Sequence, residues 1–201
     1  MDSFVGGVAM GFAIAAPVGP IGILCLRRAV VGGFFAGLSS GLGAACADAV
    51  YAGLALGALT FVAAVIARLM VPLHLVGGVA LILLGLRTAC SVLPRASGDV
   101  VSARAGWRAL VTTFGLTIVN PATILSFGAV IAAAQFGRGV DGRGAAALVV
   151  GVFVGSALWW CVLSAFGSIV RRAISPAVMR AIDVGSGAAL GAFGVWALAS
   201  A

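Results

Sequence analysis

Long apolar runs, broken only by single charges, occupy most of this 201-residue chain. A run of about 20 mainly apolar residues crosses the hydrocarbon of a bilayer as a helix. Six such runs can be marked, over about Phe4–Leu26, Gly37–Val62, Leu73–Val92, Ala109–Ala134, Gly144–Ile169 and Ala181–Ala201. Charged residues make up only 8% of the chain, against roughly 25% in a soluble domain. The chain therefore cannot cover itself with a water-compatible surface, and lipid removes the need for one. The runs are continuous, whereas membrane strands alternate over about ten residues. The expected fold is all-α, a polytopic membrane helix bundle forming one transmembrane domain over 1–201. Asp2 stands where a cleavable signal would carry Arg or Lys, so the first run reads as a retained span.

The net charge of +7 does not point to nucleic acid. All twelve basic residues are Arg, and they fall at the ends of apolar runs instead of on one solvated face. Arg27, Arg28, Arg87, Arg95, Arg104, Arg108, Arg171, Arg172 and Arg180 follow spans one, three and five, while Arg68, Arg138 and Arg143 lie on the other side. Nine against three puts the first group in the cytoplasm and both termini outside. The connection 94–108, the most polar stretch, reads as a cytoplasmic loop.

The two halves, 1–93 and 109–201, resemble each other. Pro20 with Ile21–Leu24 matches Pro121 with Ala122–Leu125; Gly43 and Asp48 match Gly151 and Ser156; Gly78 and Gly85 match Gly187 and Gly194. Three spans per half send the second half into the membrane from the opposite side. This predicts two inverted three-helix repeats, a plan that secondary transporters use for alternating access. Glycines four apart, such as Gly33, Gly37 and Gly41, Gly53 and Gly57, Gly151 and Gly155, and Gly187 and Gly191, let helix backbones approach closely in lipid.

Polar and helix-breaking residues inside these runs mark the expected site. Pro17 and Pro20, flanking Gly19, each lack an N–H and deprive the carbonyls of Ala13 and Ala16 of their helical partners. Freed backbone groups in a membrane must face protein or a watery cavity. Asn120–Pro121 makes the corresponding break in span four, where Pro121 deprives the carbonyl of Thr117. Paired breaks in two halves point to a binding site near the midplane, with carbonyls for a cation and a half-helix N-terminus for an anion. A zwitterionic amino acid carries both charges. Asp48, near the centre of span two, costs roughly 2.5–3.5 kcal/mol to insert when ionised. Packing alone does not account for it, so it reads as a carrier of a proton, a substrate ammonium, or each in turn. Tyr51 lies one turn on, on the same helix face, and is expected to bond Asp48 or a substrate, or to pack. Arg180 and Asp183, three apart at the start of span six, are expected to form an interfacial ion pair, and His74 reads as an interfacial side chain.

No cofactor is expected. One His and no Glu give no metal-ligand set. Cys25, Cys46, Cys90 and Cys161 contain no C-x-x-C pair and read as small packing residues. No paired carboxylates or nucleophile–base set suggests an enzyme.

With these residues marked, the chain resembles the LysE/RhtB family of bacterial amino-acid exporters over nearly its whole length. The resemblance rests on the Pro17–Gly19–Pro20 break, on Leu26–Arg28 and Gly32–Leu38, on Gly43 to Asp48 with Tyr51, and on Asn120–Pro121. It implies about six helices in two inverted repeats, a multi-pass protein of the bacterial inner membrane, and export of amino acids or related solutes driven by protons. It places the functional positions on Pro17, Gly19, Pro20, Asp48, Asn120 and Pro121. The chain departs from the family in having Pro-Val-Gly-Pro in place of a compact Pro-Gly-Pro, and Ala-Thr after Asn-Pro where a basic residue is common. The partners expected are a small-molecule substrate, protons and the lipid bilayer, with a homo-oligomer left open and nucleic acid excluded. The alternatives are a metal-ion or other inorganic-solute transporter on the same scaffold, or a thiol–disulfide carrier of the DsbD/CcdA type. The latter needs two cysteines that meet.

Overall fold

A computed structural model describes residues 2–17, 19–57, 59–90, 102–120, 123, 126–127, 142–173 and 175–200, with the side chains of 2, 59–70, 172 and 176 outside that description. Among the described residues all regular structure is helical. Seven α-helices run in order: α1 (Asp2–Ala15), α2 (Pro20–Gly32), α3 (Phe34–Gly57), α4 (Leu59–Cys90), α5 (Ala103–Ile118), α6 (Gly142–Val170) and α7 (Pro176–Ala199), with a 3₁₀ turn at Arg171–Ala173 before α7.

The first apolar run is not one helix. The last turn of α1 closes with the Ala16 N–H on the Phe12 carbonyl at 2.9 Å, and the first bond of α2 runs from the Ile23 N–H to the Gly19 carbonyl at 3.0 Å. Pro17 lies in the gap, and Pro20 takes the first position of α2, where a missing N–H costs nothing. The two helices are bent by 85°. At the far end of α2 the chain turns at Gly33, with φ 87° and ψ −178°, a backbone region essentially confined to glycine. That turn lets α3 begin at once.

Three helical stretches, Val71–Cys90, Gly142–Val170 and Ala177–Ala199, are long and apolar enough to cross a membrane, and the bent pair α1–α2 makes a fourth if counted as one broken span. These match expected spans three, five, six and one. Elsewhere the boundaries move. Helix α3 covers Phe34–Gly57 of the expected second span, and α4 begins at Leu59. Helix α5 begins at Ala103, inside the expected loop, because the Ser102 hydroxyl caps it by accepting from the Ala105 N–H at 3.3 Å. Arg104 and Arg108 therefore sit on a helix. Residues 121–122, 124–125 and 128–134 of the expected fourth span, and Arg68, Arg95, Arg138 and Arg172 of the charge count, lie outside the described residues or side chains.

The polarity is inside out. Val71, Leu75, Leu83, Leu86, Val162, Phe166, Ile169 and Val195 are exposed, while Arg27, Ser40, Asp48, Thr113, Ser156 and Asp183 are buried. Water does not tolerate such an apolar exterior on a monomer, but lipid does.

Helices α3 and α6 pack side by side. Helix α1 lies on α6 and α5 on α3, while α4 pairs with α7; α2 touches α3, α6 and α7. Glycines set several of these approaches. A Cβ added at Gly85 would stand 2.6 Å from the Gly187 carbonyl oxygen, and one at Gly78 would stand 2.8 Å from that of Gly194. Gly53, by contrast, has open space around it, so its spacing to Gly57 marks no close contact there. Gly85→Leu should force α4 and α7 apart at a cost of about 1–3 kcal/mol or more. It should lower the thermal unfolding midpoint of the purified protein, whereas Gly53→Ala should leave it unchanged or slightly higher.

Candidate functional site

A cavity of about 240 Å³ opens where the two helix breaks meet. Ile14, Ala15, Pro17, Gly19, Ile21 and Gly22 line it from the α1–α2 break, and Thr117, Asn120, Thr123 and Ser126 from the α5 break. Ala44 and Asp48 of α3, Trp160 of α6 and Phe193 of α7 complete it. Of the residues marked in the sequence, Pro17, Gly19, Asp48 and Asn120 thus surround one space. Pro20 is fully buried and sets the start of α2 behind Gly19. Pro121 lies outside the described residues.

Asp48 is 3% exposed. Its Oδ2 accepts a hydrogen bond from the Ser156 hydroxyl at 2.7 Å, and Ser156 Oγ in turn accepts from the indole N–H of Trp160 at 3.0 Å. Each bond crosses from α6 to the acid or lies one turn along α6. A buried carboxyl is costly without such partners.

Tyr51, expected to bond Asp48 or a substrate or to pack, packs and bonds against the broken end of α5. Its hydroxyl donates to the Ile118 carbonyl at 2.5 Å, and its ring stacks on Phe127 with centroids 5.3 Å apart. It ties α3 to the broken end of α5 and does not line the cavity among the described residues. The carbonyl of Thr117, which Pro121 cannot serve, accepts from the Asn120 N–H at 3.2 Å, and Asn120 Nδ2 donates to Thr123 Oγ1 at 3.0 Å. The second break is thus closed locally by its own polar groups, as a membrane interior requires.

The expected Arg180–Asp183 pair is replaced. Asp183, 4% exposed, accepts from Nε of the buried Arg27 at 2.8 Å, joining α7 to α2, while Arg180 Nη1 donates to the Ala89 carbonyl at 2.9 Å. Spacing along one helix suggested the local pair; packing supplied a partner 156 residues away. Arg28 bonds neutral oxygens, Ser40 Oγ at 2.8 Å, Thr113 Oγ1 at 2.9 Å and the Ala109 carbonyl at 3.2 Å, and so clamps α2, α3 and α5. His74 is buried. All four cysteines are free thiols.

Sequence reasoning assigned no role to Trp160, Thr123, Ser126 or Phe193, and to Thr117 only through its backbone carbonyl. Ser156 was marked only as the counterpart of Asp48 in the repeat. That match in the sequence was the available signal.

Helices with an apolar exterior, broken around a cavity that holds a buried carboxyl, have the build of a membrane transporter. The LysE type translocator family model matches residues 12–201, nearly the whole chain. The chain belongs to this family of membrane transporters. No curated protein and no solved structure matches it.

Proposed function

We propose that the protein exports amino acids or related small solutes across the bacterial inner membrane, in exchange for protons, with Asp48 as the exchanging acid. The observation that carries this reading is the placement of Asp48 in the cavity between the two helix breaks. The cavity is larger than the ~150 Å³ apolar void that admits benzene. Unlike that void, it has a carboxyl on one wall and the first turn of α2 on another. A helix N-terminus favours negative charge and a carboxylate favours an ammonium, so the two ends of a zwitterionic amino acid each meet a complement. Pro17, Gly19, Pro20, Asn120 and Pro121 hold the breaks that make room for it, and Tyr51 holds α5 against α3.

In this reading the bundle has six spans in two inverted repeats, divided as 1–93 and 109–201 about the connection 94–108, with both termini outside. Exchange of the halves turns the Gly78–Gly194 contact into Gly187–Gly85, which is the second close contact of α4 with α7. It likewise turns the α1–α6 packing into α5–α3. These exchanges support the repeat, and alternating access then rocks one half against the other around the cavity.

The test is an efflux panel. Cells loaded with each of the amino acids in turn should release at least one faster with the protein than without it, and collapse of the proton gradient should abolish the difference. Equal release of every amino acid would refute the substrate class.

A further inference from the structure

We propose that Ser156 and Trp160 are positioning residues that lock Asp48 Oδ2 as a permanent acceptor, so that proton and substrate ammonium compete for a single atom, Oδ1. This rests on the reading of Asp48 as the exchanging acid. The argument is a count of protons. An indole N–H can only donate, and that of Trp160 points at Ser156 Oγ from 3.0 Å. Ser156 Oγ has one proton of its own, and Asp48 Oδ2 lies 2.7 Å away. Ser156 has no exposed surface, so water does not serve as an alternative acceptor.

Suppose instead that a protonated Asp48 donated through Oδ2. Ser156 Oγ would then receive two donors, and its own proton would have to turn from Asp48 to the carbonyl one turn back in α6. Protonation at Oδ1 avoids this and leaves the Ser156 bond in place in both states of the acid. The chain Trp160→Ser156→Asp48 therefore has one direction. When an ammonium arrives, the proton on Oδ1 departs to water in the cavity and the ammonium takes the same oxygen. When the ammonium leaves, a proton replaces it. Simultaneous occupation is excluded by the shared atom, which is the requirement for obligatory exchange.

Among the described residues that line the cavity, Asp48 is the one ionisable side chain. On α3 the ionisable neighbours are Cys46, a free thiol two residues back, and Tyr51, whose hydroxyl is committed to Ile118. Helices α2, α5, α6 and α7 bring Gly22, Thr117, Trp160 and Phe193 to the cavity. Cys25 of α2 lies in the same packed cluster as Trp160 and Ala44. Arg27 is held by Asp183, and Arg28 by Ser40 and Thr113.

Infrared difference spectra of the purified protein in lipid, recorded between acid and alkaline pH, test the proposal. The carbonyl band of protonated Asp48 is identified by its loss in Asp48→Asn. A carbonyl that accepts a hydrogen bond absorbs at lower wavenumber than a free one. Ser156→Ala and the nearly isosteric Ser156→Cys, a weak donor, should therefore move the band up, Trp160→Phe should move it up by less, and Ser156→Thr should leave it in place. An unmoved band in whichever of Ser156→Ala and Ser156→Cys folds overturns the proposal, because Ser156 would not then be donating to the protonated acid. A wild-type spectrum with no band assignable to Asp48 overturns instead the underlying reading that Asp48 takes up a proton, and the proposal falls with it.

Discussion

Asp48→Asn should reduce export to the background of cells lacking the protein while leaving its amount in the membrane unchanged. The substitution keeps the size of the side chain, and the amide oxygen can still accept from Ser156, so the contact between α3 and α6 survives. What disappears is the negative charge. An amide neither holds an exchangeable proton in this pH range nor pairs with an ammonium. Removing it also removes the roughly 2.5–3.5 kcal/mol cost of placing an ionised carboxylate at that depth, so the variant should be no less stable than wild type. Loss of function with retained stability is the signature of a working acid. Efflux and membrane abundance, measured on the same cells, check it; a variant that still exports would show that the carboxylate has no part in transport.

The second large effect is expected at the buried Arg27–Asp183 pair. Arg27 and Asp183 join α2 to α7 with both side chains under 10% exposed, at 7% and 6%. Removing one partner strands the other in an apolar setting, at a cost of about 3–5 kcal/mol. Arg27→Gln and Asp183→Asn should each lower the thermal unfolding midpoint in detergent substantially. The reversed pair, Arg27→Asp with Asp183→Arg, should recover part of the loss, because the charges again cancel even though the bond geometry differs. If the double variant is as unstable as the sum of the two single ones, the pair is not acting as a pair. The surface-exposed bond of Arg180 to the Ala89 carbonyl should matter far less.

These two sites also show what a sequence reveals and what it hides. Asp48 was legible because an acid in an apolar run has no cheap structural explanation, and Pro17 and Pro20 because a helix cannot run through them with its hydrogen bonds intact. Three of the apolar spans were legible from hydropathy within a few residues, since lipid demands a minimum length. The partner of Asp183 was hidden because i, i+3 spacing offered Arg180, whereas Arg27 arrives through the folding of α2 against α7. Tyr51 shares a helix face with Asp48, but rotamer and packing turn its hydroxyl to Ile118. The start of α5 was missed for a local reason. Its first turns, with Arg104, Trp107 and Arg108, are polar and exposed like a loop, and the signal for a helix there was the Ser102 cap, not hydropathy. Trp160 gave no sign, because an indole in an apolar run is ordinary packing until its N–H is seen to have a direction.

Substrate protection of Asp48 from a hydrophobic carbodiimide tests the central claim most directly. Such reagents modify protonated carboxyls in apolar surroundings, and mass spectrometry of the purified protein identifies the modified residue. Asp48 should be labelled, and the amino acid found by the efflux panel should suppress that labelling in proportion to its occupancy, while a non-exported amino acid should not. Labelling of Asp48 that is unchanged at saturating substrate would contradict the account, because proton and solute would then not share the acid.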